Sequence, residues 1–118
     1  MQCVDGMVVP VPKKQLGAYR RVARKFGKLW RKLGALEYRE SVAYDAKRGK
    51  VTSFPRSVKL KPGEVVVLAY IVYKSRADRN RINAAVMKHP SVQKMMKQKM
   101  PFDLRRMFFG GFKTLVEL

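Results

Sequence analysis

The chain has 118 residues, 47% of them apolar and 10% aromatic, which is the length of one domain and too apolar for a disordered segment. Its 27 Lys and Arg stand against 8 Asp and Glu, a net charge of +19, far above the roughly 2–8 of a well-behaved small domain. No apolar run reaches the ~20 residues that cross a bilayer, and residues 1–6 lack the basic-then-apolar order of a signal peptide. The lone cysteine, Cys3, excludes an internal disulfide and points to a reducing cytoplasm.

Residues 3–11 read as a strand carrying Val4, Met7, Val8, Val9 and Val11, with Gly6 as a bulge. Pro10 and Pro12 close it, because proline donates nothing to a ladder. Over 13–33 the period changes. Leu16, Tyr19, Ala23, Phe26, Trp30 and Leu33 recur every three or four residues, one face of a helix that ends at Gly34. The other face holds Lys13, Lys14, Arg20, Arg21, Arg24, Lys25, Lys28, Arg31 and Lys32 with no acid among them. This helix therefore forgoes every i,i+4 Glu–Lys pair.

Alternation over 36–45 predicts a second strand with Leu36, Tyr38, Glu40, Val42 and Tyr44 on its richer face. Residues 47–50 form a turn, and 51–60 are partly extended and broken at Pro55, as a hairpin or a loop. After the Pro62-Gly63 turn, 65–73 is a nearly unbroken apolar run, the pattern of a strand buried on both faces. Ser75 with Asp78 opens a helix in the manner of a capping box, places Ile82, Ala85, Val86 and His89 on one face, and gives way to Pro90. Ser91 caps a shorter helix with Val92, Met95 and Met96, and 105–118 is a last strand bulged at Gly110-Gly111.

The order β-α-β-excursion-β-α-β is the split βαβ pattern of an α+β, ferredoxin-like domain spanning residues 1–118, with both helices on one face of an antiparallel sheet. The opposite face then needs a cover, because large exposed apolar patches are rare in stable monomers. A second copy of the sheet is the economical one, so a homodimer is expected.

Several blocks in order resemble the YbaA-like family of small bacterial proteins (domain of unknown function 1428). They are Val4-Asp5-Gly6-Met7-Val8-Val9-Pro10-Val11-Pro12, Gly34-Ala35-Leu36-Glu37-Tyr38-Arg39-Glu40, Gly49-Lys50-Val51-Thr52-Ser53-Phe54-Pro55-Arg56, Met100-Pro101-Phe102-Asp103, Arg106-Met107 and Gly110-Gly111-Phe112. The resemblance implies a dimeric α/β-barrel in which two four-stranded sheets pack face to face. It implies no activity and so carries over no catalytic residue. The charge departs from the family, whose members mix acids into the first helix and the region after Pro90. Two histories fit: adaptation to a polyanion, or a positively supercharged variant made by recharging the surface of a family scaffold. Intact core signatures beside lost surface acids favour recharging.

Candidate chemistry is sparse. His89, the only histidine, reads as a local cap, and with no second His and no Cys cluster no metal or cofactor is implied. Cys3 lacks the basic neighbourhood of a nucleophile. The surviving acids Glu37, Glu40, Asp45 and Asp103 read first as ion-pair members, Asp103 with Arg105 or Arg106. A pocket between the sheets using Tyr38, Glu40, Tyr70 and Asp103 is the enzymatic alternative, of cofactor-free monooxygenase or isomerase type, an analogy from fold alone. The lead expectation is electrostatic. The nine cations of the first helix bind non-specific nucleic acid or another polyanion, or an acidic protein partner.

Overall fold

The computed structural model describes all 118 residues. In chain order it has β1 (Cys3–Pro12), a 3-10 turn (Lys13–Gln15), α1 (Leu16–Leu33), β2 (Glu37–Val42), α2 (Phe54–Ser57), β3 (Glu64–Tyr73), α3 (Arg76–Lys88), α4 (Pro90–Met96) and β4 (Phe108–Lys113). The strands form one antiparallel sheet in the order β2-β3-β1-β4. That is the α+β ferredoxin-like arrangement. The molecule is a slab, 38 × 37 × 20 Å, the thickness of one sheet and one helical layer.

The helix-facing side of the sheet holds the core. Val9, Val11 and Val67 pack with Tyr19 of α1, while Cys3, Ile71 and Tyr73 pack with Ile82 and Val86 of α3 and Val92 of α4. The α1 residues Phe26, Leu29, Trp30 and Leu33 close over this second group. Alternation of side chains along each strand explains the selection: Tyr38, Ala69, Ile71, Met7 and Val9 occupy matched positions across β2, β3 and β1. A buried polar network ties the layers. Asp5 accepts hydrogen bonds from Tyr73 Oη (2.9 Å), Asn83 Nδ2 (3.1 Å) and Arg79 Nε (2.9 Å), and Trp30 Nε1 donates to Tyr73 Oη at 3.0 Å. Burial and the adjacent Asp5 carboxylate push the Tyr73 phenol above its ordinary range.

Several details differ from the sequence reading. β1 runs through Pro10 to Pro12. Pro10 lies past the end of β4, where β1 is paired on one side only, and such a position tolerates a residue without an N–H. Neither Gly6 nor Gly110-Gly111 forms a bulge, for the register is continuous and Gly6 faces Gly110. Added Cβ atoms at these two positions would meet the Phe112 ring at 3.7 and 3.8 Å, ordinary contact distances, so the ring lies beside both glycines without requiring them. Gly111 leaves room for the Asp5–Arg79 pair.

The second strand is shorter than expected, and Tyr44 beyond it is fully exposed. The excursion after it is a short helix whose Ser53 Oγ accepts from Arg56 N. Ser75 does cap α3, accepting from the Asp78 N–H, but the Asp78 carboxylate turns to Arg81 and the reciprocal half of a capping box is absent. The cap of α4 is His89, not Ser91: its Nδ1 accepts from Ser91 N at 3.2 Å.

β3 is buried on one face and only partly on the other. Val8 and Val66 are covered by Val58 and Leu60 from the α2 excursion. Leu68 (43% exposed), Phe108 (46%) and Phe112 (65%) remain open on the same side.

Candidate functional site

Glu40 stands at the centre of β2, on the face turned toward α1. Its Oε1 accepts a short hydrogen bond from Tyr19 Oη of α1, and its Oε2 accepts from Tyr38 Oη at 2.5 Å. Burial, and then the Glu40 carboxylate, push both phenols well above their ordinary range. Both tyrosines are therefore neutral donors at physiological pH.

Of the eight acids, three make no ion pair: Glu40, Glu117 and, against the sequence reading, the exposed Asp45. Asp5, Glu37, Glu64, Asp78 and Asp103 each pair with an arginine. Glu40 pairs with none, although Arg20, Arg24, Lys28 and Arg31 line the same cavity.

That cavity, of about 840 Å³, runs between α1 and the edge strand β2. Its floor is Leu16, Ala23, Tyr38, Val42 and Val67, and its lip is the row Arg20, Arg24, Lys28, Arg31. The row follows from the helical period: residues four, four and three apart share a face, rising about 1.5 Å per residue. On the far side of Tyr19, Tyr38 and Glu40 lies a second cavity of about 230 Å³, reaching Met7, Met87, Met96, Met100 and Met107. All but one of its lining residues are apolar, and Glu40 is the exception.

Of the four residues expected to share a pocket, the fold brings together Tyr38 and Glu40, and Tyr19 joins them. The cavity lies beneath α1 and not on the open face. Tyr70 points to that open face, where its hydroxyl donates to Glu37 Oε1 at 2.9 Å. Asp103 belongs to a separate clamp. The Arg106 guanidinium donates to both Glu64 oxygens (2.7 and 2.6 Å), to Asp103 Oδ2 (2.9 Å) and to the carbonyls of Val58 and Lys59. The Arg106 hydrogen bonds hold Glu64 and Asp103 below the ordinary carboxylate range.

Cys3 is buried beside Asp5; Arg76 and Arg79 lie nearby, unlike the sequence reading, but burial and the Asp5 carboxylate outweigh them and push the thiol up. No group of three or more His, Cys, Asp and Glu gathers as a metal site would require. No helix is long and apolar enough to cross a membrane.

The nine cations of the first helical segment are all exposed. None of them pairs with a carboxylate; Arg31 alone is engaged, donating to the carbonyls of Ala35 and Leu36.

Comparison with known structures supports the fold. The chain superposes on Rv0793 from Mycobacterium tuberculosis with a TM-score of 0.62 at 14% identity, covering 99% of this chain and 98% of the other. A NIPSNAP-like domain protein from Burkholderia xenovorans gives 0.59 at 14% identity, over 97% and 85%. A dimeric ferredoxin-like protein from an uncultured marine organism gives 0.54 at 13%, over 99% and 96%. In sequence, the uncharacterized protein YbaA of Escherichia coli K12 is 40% identical over 117 residues, 99% of each chain. Residues 2–104 match the family described as Protein of unknown function (DUF1428). The chain belongs to this DUF1428 family, with YbaA as a full-length relative.

Proposed function

We propose that the protein is a homodimer whose sheets meet through their open faces and whose α1 surfaces bind polyanions through charge, nucleic acid among them. One observation carries the reading: nine exposed cations lie along a single helical segment, and no carboxylate neutralises any of them. A polyanion on such a surface displaces its condensed counterions, which favours binding without any base contact. The apolar side chains of Leu68, Phe108 and Phe112 lie on the opposite side of the sheet from α1. Dimer formation there leaves both basic helices facing outward. An acidic protein partner fits the same helices by the same electrostatics.

The test is affinity for random-sequence duplex DNA and for heparin, measured side by side across a salt series. Parallel, steep log–log lines support charge as the whole of the interaction. Binding that persists unchanged through several hundred millimolar salt counts against it.

A second reading is favoured by the cavity at Glu40: a site for a small molecule, in which the carboxylate accepts or moves a proton. It predicts a metabolite that raises Tm by binding the native state.

A further inference from the structure

We propose that the cavity between α1 and β2 binds an apolar-bodied organic acid that carries a hydroxyl or amino group at the end remote from its acidic group. This rests on the second reading above and names the ligand class for that site.

The cavity has two ends of opposite sign. At the lip, Arg20, Arg24, Lys28 and Arg31 present four cations free of any carboxylate. Beneath them Glu40 presents an anion whose two oxygens are each held by one phenol. A carboxylate offers about four acceptor positions, so each Glu40 oxygen retains room for a further donor. Between the ends the floor is apolar, and behind Glu40 the methionine-lined cavity is apolar and adaptable.

Charge complementarity fixes the ligand's orientation. An acidic group is repelled by Glu40 and drawn to the lip. An O–H or N–H is drawn to the half-buried Glu40, where a donor to a carboxylate makes a charge-assisted hydrogen bond. An apolar body matches Leu16, Ala23, Val42 and Val67, which lie between the two charged ends.

The probe is 6-hydroxy-2-naphthoic acid, followed by its own fluorescence with the full chain at about 0.15 M salt, where surface charge is largely screened beyond ~8 Å. It is compared with 2-naphthoic acid, which lacks the donor, and methyl 6-hydroxy-2-naphthoate, which lacks the anion. Each loss is expected to weaken binding about ten-fold, the effect of one charged hydrogen bond. Glu40→Gln should remove the advantage of the hydroxyl and leave that of the carboxylate. Arg20→Gln with Arg24→Gln should do the reverse. Neutralising Lys47, Lys50 and Lys74, which are exposed and outside the cavity, should change neither advantage. Thermal melts confirm that each variant is folded.

Equal binding of all three compounds overturns the ligand class while leaving a less selective small-molecule site. Failure of all three to bind also overturns it, and the broader reading then depends on the metabolite screen. An affinity that falls equally with the three-lysine control overturns it in favour of generic charge.

Discussion

The ring of Tyr38 occupies the space that a side chain at residue 27 would need: a Cβ built on Gly27 falls 2.7 Å from Tyr38 Cδ1 and from Cε1. Gly27 sits in the middle of α1, where glycine ordinarily costs about 1 kcal/mol relative to alanine. The close approach of α1 to β2 accounts for its presence, and that approach brings Tyr19 and Tyr38 to opposite oxygens of Glu40.

Gly27→Ala is therefore expected to destabilise the protein, although it improves helix propensity. Overpacking of about 1–3 kcal/mol outweighs the propensity gain of about 1. Urea denaturation reads the difference as a lowered midpoint. A midpoint that rises instead means that Tyr38 swings aside freely and is not fixed by Glu40.

Replacing Leu68 with Asp addresses the open sheet face. Leu68 is 43% exposed at the middle of β3, so the monomer should stay folded at a cost of roughly 1–2 kcal/mol in strand propensity and apolar burial. Sedimentation velocity should find a dimer for the parent chain and a monomer for the variant. Because each copy carries +19, dimerisation should strengthen as salt screens the repulsion, the opposite of the DNA trend. A parent chain that stays monomeric at every salt concentration refutes the sheet-to-sheet dimer.

Neutralising Arg21, Lys25, Lys28 and Lys32 with Gln should flatten the salt dependence of DNA binding. The log–log slope falls by roughly 0.9 for each phosphate that the protein no longer neutralises. An unchanged slope means that DNA is held by others of the 27 cations.

The Arg106 clamp predicts an acid transition. Glu64 has a folded pKa below its unfolded value because Arg106 hydrogen-bonds its carboxylate, and the same holds for Asp103. Stability from both is fully present above the unfolded pKa values, about 3.9–4.3, and is lost as pH falls through the lower folded ones. Arg106→Gln should cost about 2–4 kcal/mol at pH 7, as an ion pair with little exposure is broken. The gap to the parent chain should then narrow as pH drops below about 4. A gap that is constant from pH 7 to pH 3 in chemical denaturation contradicts the ion-pair account.

The sheet and its two covering helices were legible because their periods are strong: the 3.6-residue stripe of α1 and the apolar run of β3 admit few alternatives. Alternation along β2 also put Tyr38 and Glu40 on one face. It could not say which face looks toward α1, and so it grouped them with Tyr70, which points the other way. Tyr19 was legible as core but not as a partner of Glu40, because its hydroxyl lies at the end of a side chain whose spacing reports only its ring. Of the two glycines in α1, only Gly27 marks a close approach, and spacing alone does not distinguish it from Gly17. Elsewhere glycine misled: Gly6 and Gly110 face each other across an unbroken ladder, which only the register reveals. Asp103 reads from sequence as a partner of Arg105 or Arg106; the other half of that clamp, Glu64, is too remote in the chain to be paired by spacing.

The family match ends at residue 104, and β4 begins at Phe108. β4 is the only strand pairing with one side of β1, along Cys3 to Val8. A fragment trimmed at residue 104 would leave that row of N–H and C=O groups unmet, flanked by Val4 and Val8 and with no charged side chain on the open face of β1. Such an edge templates further strands, so the shortened chain would exchange segments between molecules or aggregate. The stretch from 105 to 118, which the YbaA alignment also spans, thus acts as the molecule's built-in blocking strand.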